Sequence, residues 1–313
     1  MLDMPSLSPR RGVWYALISS LVCGLAIPVF KGRFGGADPF QVSACLNLGI
    51  VLAMTLLSPW RLGMLSRGGW FYFVGAIVAG IAAPVLLFWG LSRAPGSVGS
   101  LLLNLDPVFT ALIAWVCFCD RLGRRSVLGF ILVIVGSLLV SIKTGGEEGV
   151  CGLLAVLALA ASCFCFAISN NCMAQLREIR AAALAFWLGL FIGGALFALY
   201  AVCGGRFGDP MGWRLAGEST LLGVTQGLAL IGYIVSLRLL GTGRTSAYFA
   251  TVPFIGAVAC VVFLGEPVTS YLLVAAVLMI AGVWALLSES LESHSPQRSQ
   301  KVQREELAGN QER

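Results

Sequence analysis

The sequence predicts an all-α integral membrane protein of about ten transmembrane helices, arranged as two inverted five-helix repeats. Three observations carry this. Of 313 residues, 58% are hydrophobic and only 12% charged, and the mean hydropathy is +0.88. A soluble domain is nearer half apolar and a quarter charged, so this chain cannot cover a water-facing surface. The apolar residues fall in continuous runs rather than alternating ones, which favours helices over a barrel. The chain also resembles itself at a shift of 146 residues.

A helical span needs roughly 20 mostly apolar residues. Ten runs qualify: 14–30, 39–59, 69–91, 97–118, 125–143, 149–172, 181–203, 219–240, 245–264 and 269–288. Residues 1–12 precede them. The tail 289–313 is rich in Glu, Gln, Arg and Ser and is expected to be disordered.

The net charge is +6, which raises a nucleic-acid reading, but the placement of the cations points elsewhere. With the N-terminus inside, the inner loops hold 11 Lys and Arg, from Arg10 and Arg11 to Arg244. The outer loops hold 6: Lys31, Arg33, Arg93, Lys143, Arg206 and Arg214. The tail adds Arg298, Lys301, Arg304 and Arg313 to the inside. This positive-inside bias predicts that both termini are cytoplasmic, in a bacterial-type inner membrane. Arg10-Arg11 then reads as a topology anchor rather than a twin-arginine export signal.

Most of the ten cysteines lie inside spans, where Cys behaves as a small apolar residue. Cys163 and Cys165, like Cys117 and Cys119, are two residues apart and point to different helix faces, which makes them poor joint metal ligands. Cys151 and Cys203 fall at the outer ends of neighbouring spans, where a disulfide is open to them. The only histidine, His294, is in the tail. No metal site and no cofactor are expected.

The repeat aligns Ser100 with Ser246, Pro107 with Pro253, Ala111 with Ala257, Val116 with Val262 and Gly136 with Gly282. Asp120 falls on Glu266, an acid on an acid in a connecting loop. Five spans per half is odd, so the second half enters the membrane from the opposite side. Inverted repeats of this kind place a solute site near the midplane between halves, and rocking of one half against the other can give alternating access. Gly189 and Gly193 form a GxxxG in span seven, and Gly49 and Ala53 repeat its spacing in span two. Such faces suit close helix contact within the bundle, or a seam between two copies of the chain.

Asp106 is the strongest candidate functional residue. It lies about ten residues, roughly 15 Å, into span four. A charged Asp at the bilayer centre costs about 2.5–3.5 kcal/mol on insertion scales. Intramembrane acids commonly relay protons or hold a coupling cation; the other reading is an acid that pins two helices together. Its repeat mate is Val252, so one half alone carries the acid. Leu102, on the same helical stripe as Asp106, maps to Tyr248, which should face the same central region. Asn104, Trp89, Tyr233, Gln226, Asn170 and Asn171 are further candidates for solute contact. Pro107 and Pro253 each lack an N–H and crowd the carbonyl four residues earlier, at Leu103 and Phe249; they read as kinks or hinges. Asp120 and Glu266 read as structural, tying loops beside helix ends.

Together these stretches resemble a known family. The first half reads Gly90-Leu-Ser-Arg-Ala-Pro-Gly-Ser, then Ser100-Leu-Leu-Leu-Asn-Leu-Asp-Pro-Val-Phe-Thr-Ala, with Asp120-Arg-Leu-Gly following. The second reads Ser246-Ala-Tyr-Phe-Ala-Thr-Val-Pro-Phe-Ile-Gly-Ala257, then Leu264-Gly-Glu-Pro267. This is similar to the EamA-type branch of the drug/metabolite transporter superfamily, with repeats over about 13–145 and 150–288. The resemblance implies a ten-helix carrier, often an exporter, driven by a proton gradient or by exchange. It implies a small solute such as an amino acid, metabolite, nucleoside-like compound or drug. It also matches Asn170-Asn171 to an Asn-Asn stretch, preceded here by Ser169. The chain departs from the family at Cys119-Asp120-Arg121, and in span two, where Cys45 and Asn47 lie near the place of a frequent Arg.

Two rival classes are weaker. No HExxH, GxSxG, P-loop or paired-carboxylate motif supports a membrane enzyme. The loops leave no extramembrane domain for a non-transporting partner protein. The expected partners are a small-molecule solute and membrane lipid, not nucleic acid, with a homodimer left open.

Overall fold

The structure, a computed structural model, describes residues 9–57, 69–118, 124–176, 179, 181–205, 210–240 and 248–293. Among these there is no strand. The helices are α1 (Pro9–Phe34), α2 (Pro39–Leu57), α3 (Gly69–Arg93), α4 (Gly96–Leu102), α5 (Leu105–Phe118), α6 (Arg124–Gln175), α7 (Ala181–Val202), α8 (Pro210–Leu240), α9 (Val252–Leu264) and α10 (Ser270–Ser293). In hydrocarbon every backbone polar group must be satisfied within the protein, and helices do this locally. Among the described residues, five stretches are long and apolar enough to cross a membrane: Arg11–Phe34, Gly69–Arg93, Gly96–Cys117, Gly152–Met173 and Ala182–Val202. Shorter apolar helices cover Pro39–Thr55, Val127–Ser141, Val252–Leu264 and Ser270–Ala285. Large apolar side chains such as Phe71, Val262 and Trp284 are exposed on the outside of the bundle, where lipid would meet them.

Span four is not one helix. α4 ends at Leu102, a turn occupies Leu103–Asn104, and α5 begins at Leu105. Span nine breaks in the same way: residues 248–249 are helical, Ala250–Thr251 form a turn, and α9 begins at Val252. Both breaks lie a few residues before the prolines read as kinks or hinges. Pro107 and Pro253 stand in the first turn of new helices, where an absent N–H costs no intrahelical bond and φ is already suitable. The Leu103 carbonyl, expected to be left free, accepts the Asp106 N–H at 3.2 Å.

Spans five and six emerge as one unbroken helical run, α6, of 52 residues. A straight rod of that length would reach roughly 78 Å, and would put Gly136 about 40 Å from Cys163. The contacts rule this out. Gly136 packs on Met279, the Asn104 amide reaches Met279 Sδ, and Cys163 Sγ lies 3.6 Å from the Leu102 carbonyl. Both apolar legs of the run, Val127–Ser141 and Gly152–Met173, thus reach the α4–α5 break, so α6 is not a straight rod.

Small residues set the packing. α2 lies between α7 and α8. Gly189 and Gly193 meet Val51, Asn47 and Ala44 on α2. On its other side Gly49 abuts the backbone of Thr220 and Gly223, and Gly227 meets Ala53. The glycine pairs therefore serve the bundle interior. The mates Gly136 and Gly282 share one seam: Gly136 against Met279 and Ala275, Gly282 against Gly129 and Val133. Mates that meet across one seam are what a pseudo-two-fold axis between α6 and α10 requires.

Candidate functional site

Asp106 is the second residue of α5, immediately after the break. The positive end of the helix dipole there favours a negative group. Thr110, one turn on, donates its hydroxyl to Asp106 Oδ1 at 3.2 Å. Asn170, from the second leg of α6, places its amide nitrogen 3.4 and 3.5 Å from the two carboxylate oxygens. Asn171 donates to the Thr110 carbonyl at 3.0 Å and to its own helix at Ala167, 2.9 Å away. The Asn pair therefore has two tasks. Asn170 faces the acid, and Asn171 stitches α6 to α5.

From the second half, Tyr233 on α8 and Cys163 on α6 both lie close enough to the Asp106 carboxylate to feel its charge. The Tyr233 ring meets the Phe249 ring edge-on, with centroids 4.3 Å apart. Gln226 lies two turns from Tyr233 on the same stripe of α8, and its buried Nε2 has no hydrogen-bond partner. Tyr248 is half-buried, and its carbonyl accepts the Ser20 hydroxyl at 3.1 Å and the Thr251 N–H at 3.1 Å. The ring that meets Tyr233 belongs to its neighbour Phe249, which sequence reasoning had not singled out.

Two candidates lie away from this group. Asn104 is fully buried in the turn and faces α10, donating to Leu101 and reaching Met279. Trp89 is occupied near the end of α3, with the Arg93 guanidinium 4.1 Å over its ring. Its neighbour Gly90 packs on Leu159, eleven residues and about 16 Å along α6 from Asn170. Glu266 ties helix ends, as its loop position suggested: its carboxylate accepts the backbone N–H groups of Gly96, at 2.5 Å, and Ser97, at 2.7 Å. Its mate Asp120 lies outside the described residues. Cys203 is a free, exposed thiol, so no Cys151–Cys203 bridge is formed; the Cys151 side chain is not described. No group of three or more metal-ligating side chains occurs among the described residues.

The two halves mirror each other here. The mated carbonyls of Leu102 and Tyr248, 146 residues apart, are each approached by a small polar side chain from another helix, Cys163 Sγ in one case and Ser20 Oγ in the other. The side chains beyond them differ. Where the first break sets Asp106 against Asn170, the second sets Val252 against Gly24, the repeat mate of Asn170, and a Cβ at Gly24 would lie 3.0 Å from the Val252 carbonyl.

Two inverted halves, a broken helix in each and one acid held where they meet define a multi-pass membrane transporter. The chain belongs to the EamA-like transporter family, whose model matches residues 10–142 and 153–288. It is similar to the uncharacterized transporter YvbV of Bacillus subtilis, 23% identical over 281 residues, 86% of this chain and 89% of that one. It is also similar to a probable terminal-alkyne amino-acid exporter of Streptantibioticus cattleyicolor, 29% identical over 215 residues, 67% of this chain and 70% of the exporter. A solved crystal structure shares the fold with a TM-score of 0.65 at 16% identity, covering 91% of this chain and 98% of that one.

Proposed function

We propose that the protein is a secondary active exporter of small metabolites, amino acids or drug-like solutes. It works by alternating access between the two repeats, coupled to protons or to exchange. Asp106 is the coupling group. The single observation behind this is one carboxylate within the membrane, held among the described residues by neutral donors, Thr110 and Asn170, beside residues of the other half. An unpaired buried charge is costly, so the site alternates between a bound proton or cation and a state opened to water. Tyr233, Phe249, Gln226 and Tyr248 contact the solute from the second half. Asn104 and Trp89 support the scaffold instead.

The likeness to an amino-acid exporter puts amino acids first in the panel to be tested. The protein resides in an inner membrane with both termini cytoplasmic, works among lipid, and needs no cofactor; a homodimer is compatible with the fold. The test is flux of a solute panel in proteoliposomes under an imposed pH gradient. Gradient-driven movement of one solute class is the expected result. Folded protein that moves none of the panel, yet turns over lipid headgroups without a gradient, would replace the transporter reading with a membrane enzyme.

A further inference from the structure

The loop after α9 has a geometry that connector duty alone does not need. α9 ends on Gly265, in the left-handed region at φ 66°, a conformation open to glycine at little cost. That turn aims Glu266 back across the bundle at the other repeat. There its two carboxylate oxygens take separate backbone N–H groups, from Gly96 and Ser97 at the start of α4. Charge-assisted bonds of this kind are the strong members of their class.

Below this contact the seam between α4, α9 and α1 is closely packed through glycines. Gly96 rests on Cys260, Gly256 on Ser100 and Ile27, and Gly24 on Ile255. The Ser100 hydroxyl donates to the Pro253 carbonyl at 2.5 Å. Lys31 on α1 donates to the Ser92 carbonyl at 3.3 Å and so joins the end of α3 to the same rim. Glycine lets these helices approach closely, each notch receiving a side chain of the facing helix, such as Ile255 at Gly24. The Glu266 carboxylate is the strong polar tie at its mouth.

We propose that Glu266 is the bolt of a gate between the repeats at the end of α9, the outer face in the orientation given above, and that this structure is the state with that gate shut. The bolt is drawn when the carboxylate leaves the two N–H groups; α9 and α4 then separate along the glycine seam and open a route toward Asp106. This rests on the transporter reading, but its test needs no solute, so either can fail without the other.

Cys260 is fully buried directly under the bolt and serves as a native reporter. The experiment measures the rate at which a hydrophilic maleimide modifies Cys260, as the only cysteine left, in full-length protein in nanodiscs. Glu266→Gln keeps the size but turns one acceptor into a donor that faces an N–H. It should speed labelling roughly tenfold or more, the loss expected for paired charge-assisted bonds. Gly265→Ala, which strains the turn that aims Glu266, should speed it less. A second single-cysteine protein retaining Cys45, buried in α2 away from the seam, reports general loosening and should be unaffected. An unchanged Cys260 rate in Glu266→Gln, or an equal rise at Cys45, would overturn the gate.

Discussion

The break at Leu103–Asn104 and the break at Ala250–Thr251 are the same piece of architecture used twice. Each follows helical residues, precedes a proline in a first turn, and has a mated carbonyl, Leu102 or Tyr248, met by a side chain from another helix. They differ one turn further on. The first break carries Asp106 against Asn170. The second carries Val252 against Gly24, where backbone contact takes the place of polar contact. The difference teaches that the backbone device is common to both halves, whereas the chemistry has been placed in one.

Five substitutions test this, from the largest expected effect to the smallest, and the first two make one break like the other. Asp106→Val gives the first break the side chain of the second. It should lower gradient-driven flux about a hundredfold or more, equivalent to about 2.7 kcal/mol of lost coupling, with insertion unaffected by the criterion of monodisperse elution in detergent. Gly24→Asn works in the other direction. A Cβ there meets Ile255 at 2.7 Å, so overpacking should cost about 1–3 kcal/mol, read as a lower thermal midpoint. Asn170→Ala removes one donor from the carboxylate while leaving Thr110. It should reduce flux several-fold and stability by about 1 kcal/mol. Ser20→Ala and Cys163→Ala strip the mated carbonyl partners and should each cost about 1 kcal/mol or less, by similar amounts. A large asymmetry between those last two would mean the breaks are not equivalent scaffolds.

Much of this was legible in the sequence. Hydropathy located the spans, because lipid imposes a strict length on apolar runs. The 146-residue shift exposed the inverted repeat, and the placement of Asp106 within a span marked it out before any contact was known. The breaks were not legible. Pro107 and Pro253 suggested kinks at their own positions, but a helix can end a turn before a proline, and nothing local in Leu103-Asn104 distinguishes a turn from a bend. Asn104 looked like a site residue because it is polar and near the acid. The turn instead rotates it toward Met279. Trp89 had the right chemistry but was already engaged by Arg93. The Gly265-Glu266 pair was recognised as a motif, yet its reach to Gly96 and Ser97 is a contact across 170 residues that no local pattern encodes.

The central claim is that Asp106 couples solute movement to a gradient, rather than fastening α5 to α6. The most direct measurement compares wild type, Asp106→Asn and Asp106→Glu in proteoliposomes, each assayed for gradient-driven uptake and for solute exchange at equilibrium without a gradient. The account predicts that Asp106→Asn loses gradient-driven uptake yet still exchanges solute, and that Asp106→Glu retains part of both. Gradient-driven uptake by Asp106→Asn at the wild-type rate would contradict it and leave the carboxylate a structural tie between helices.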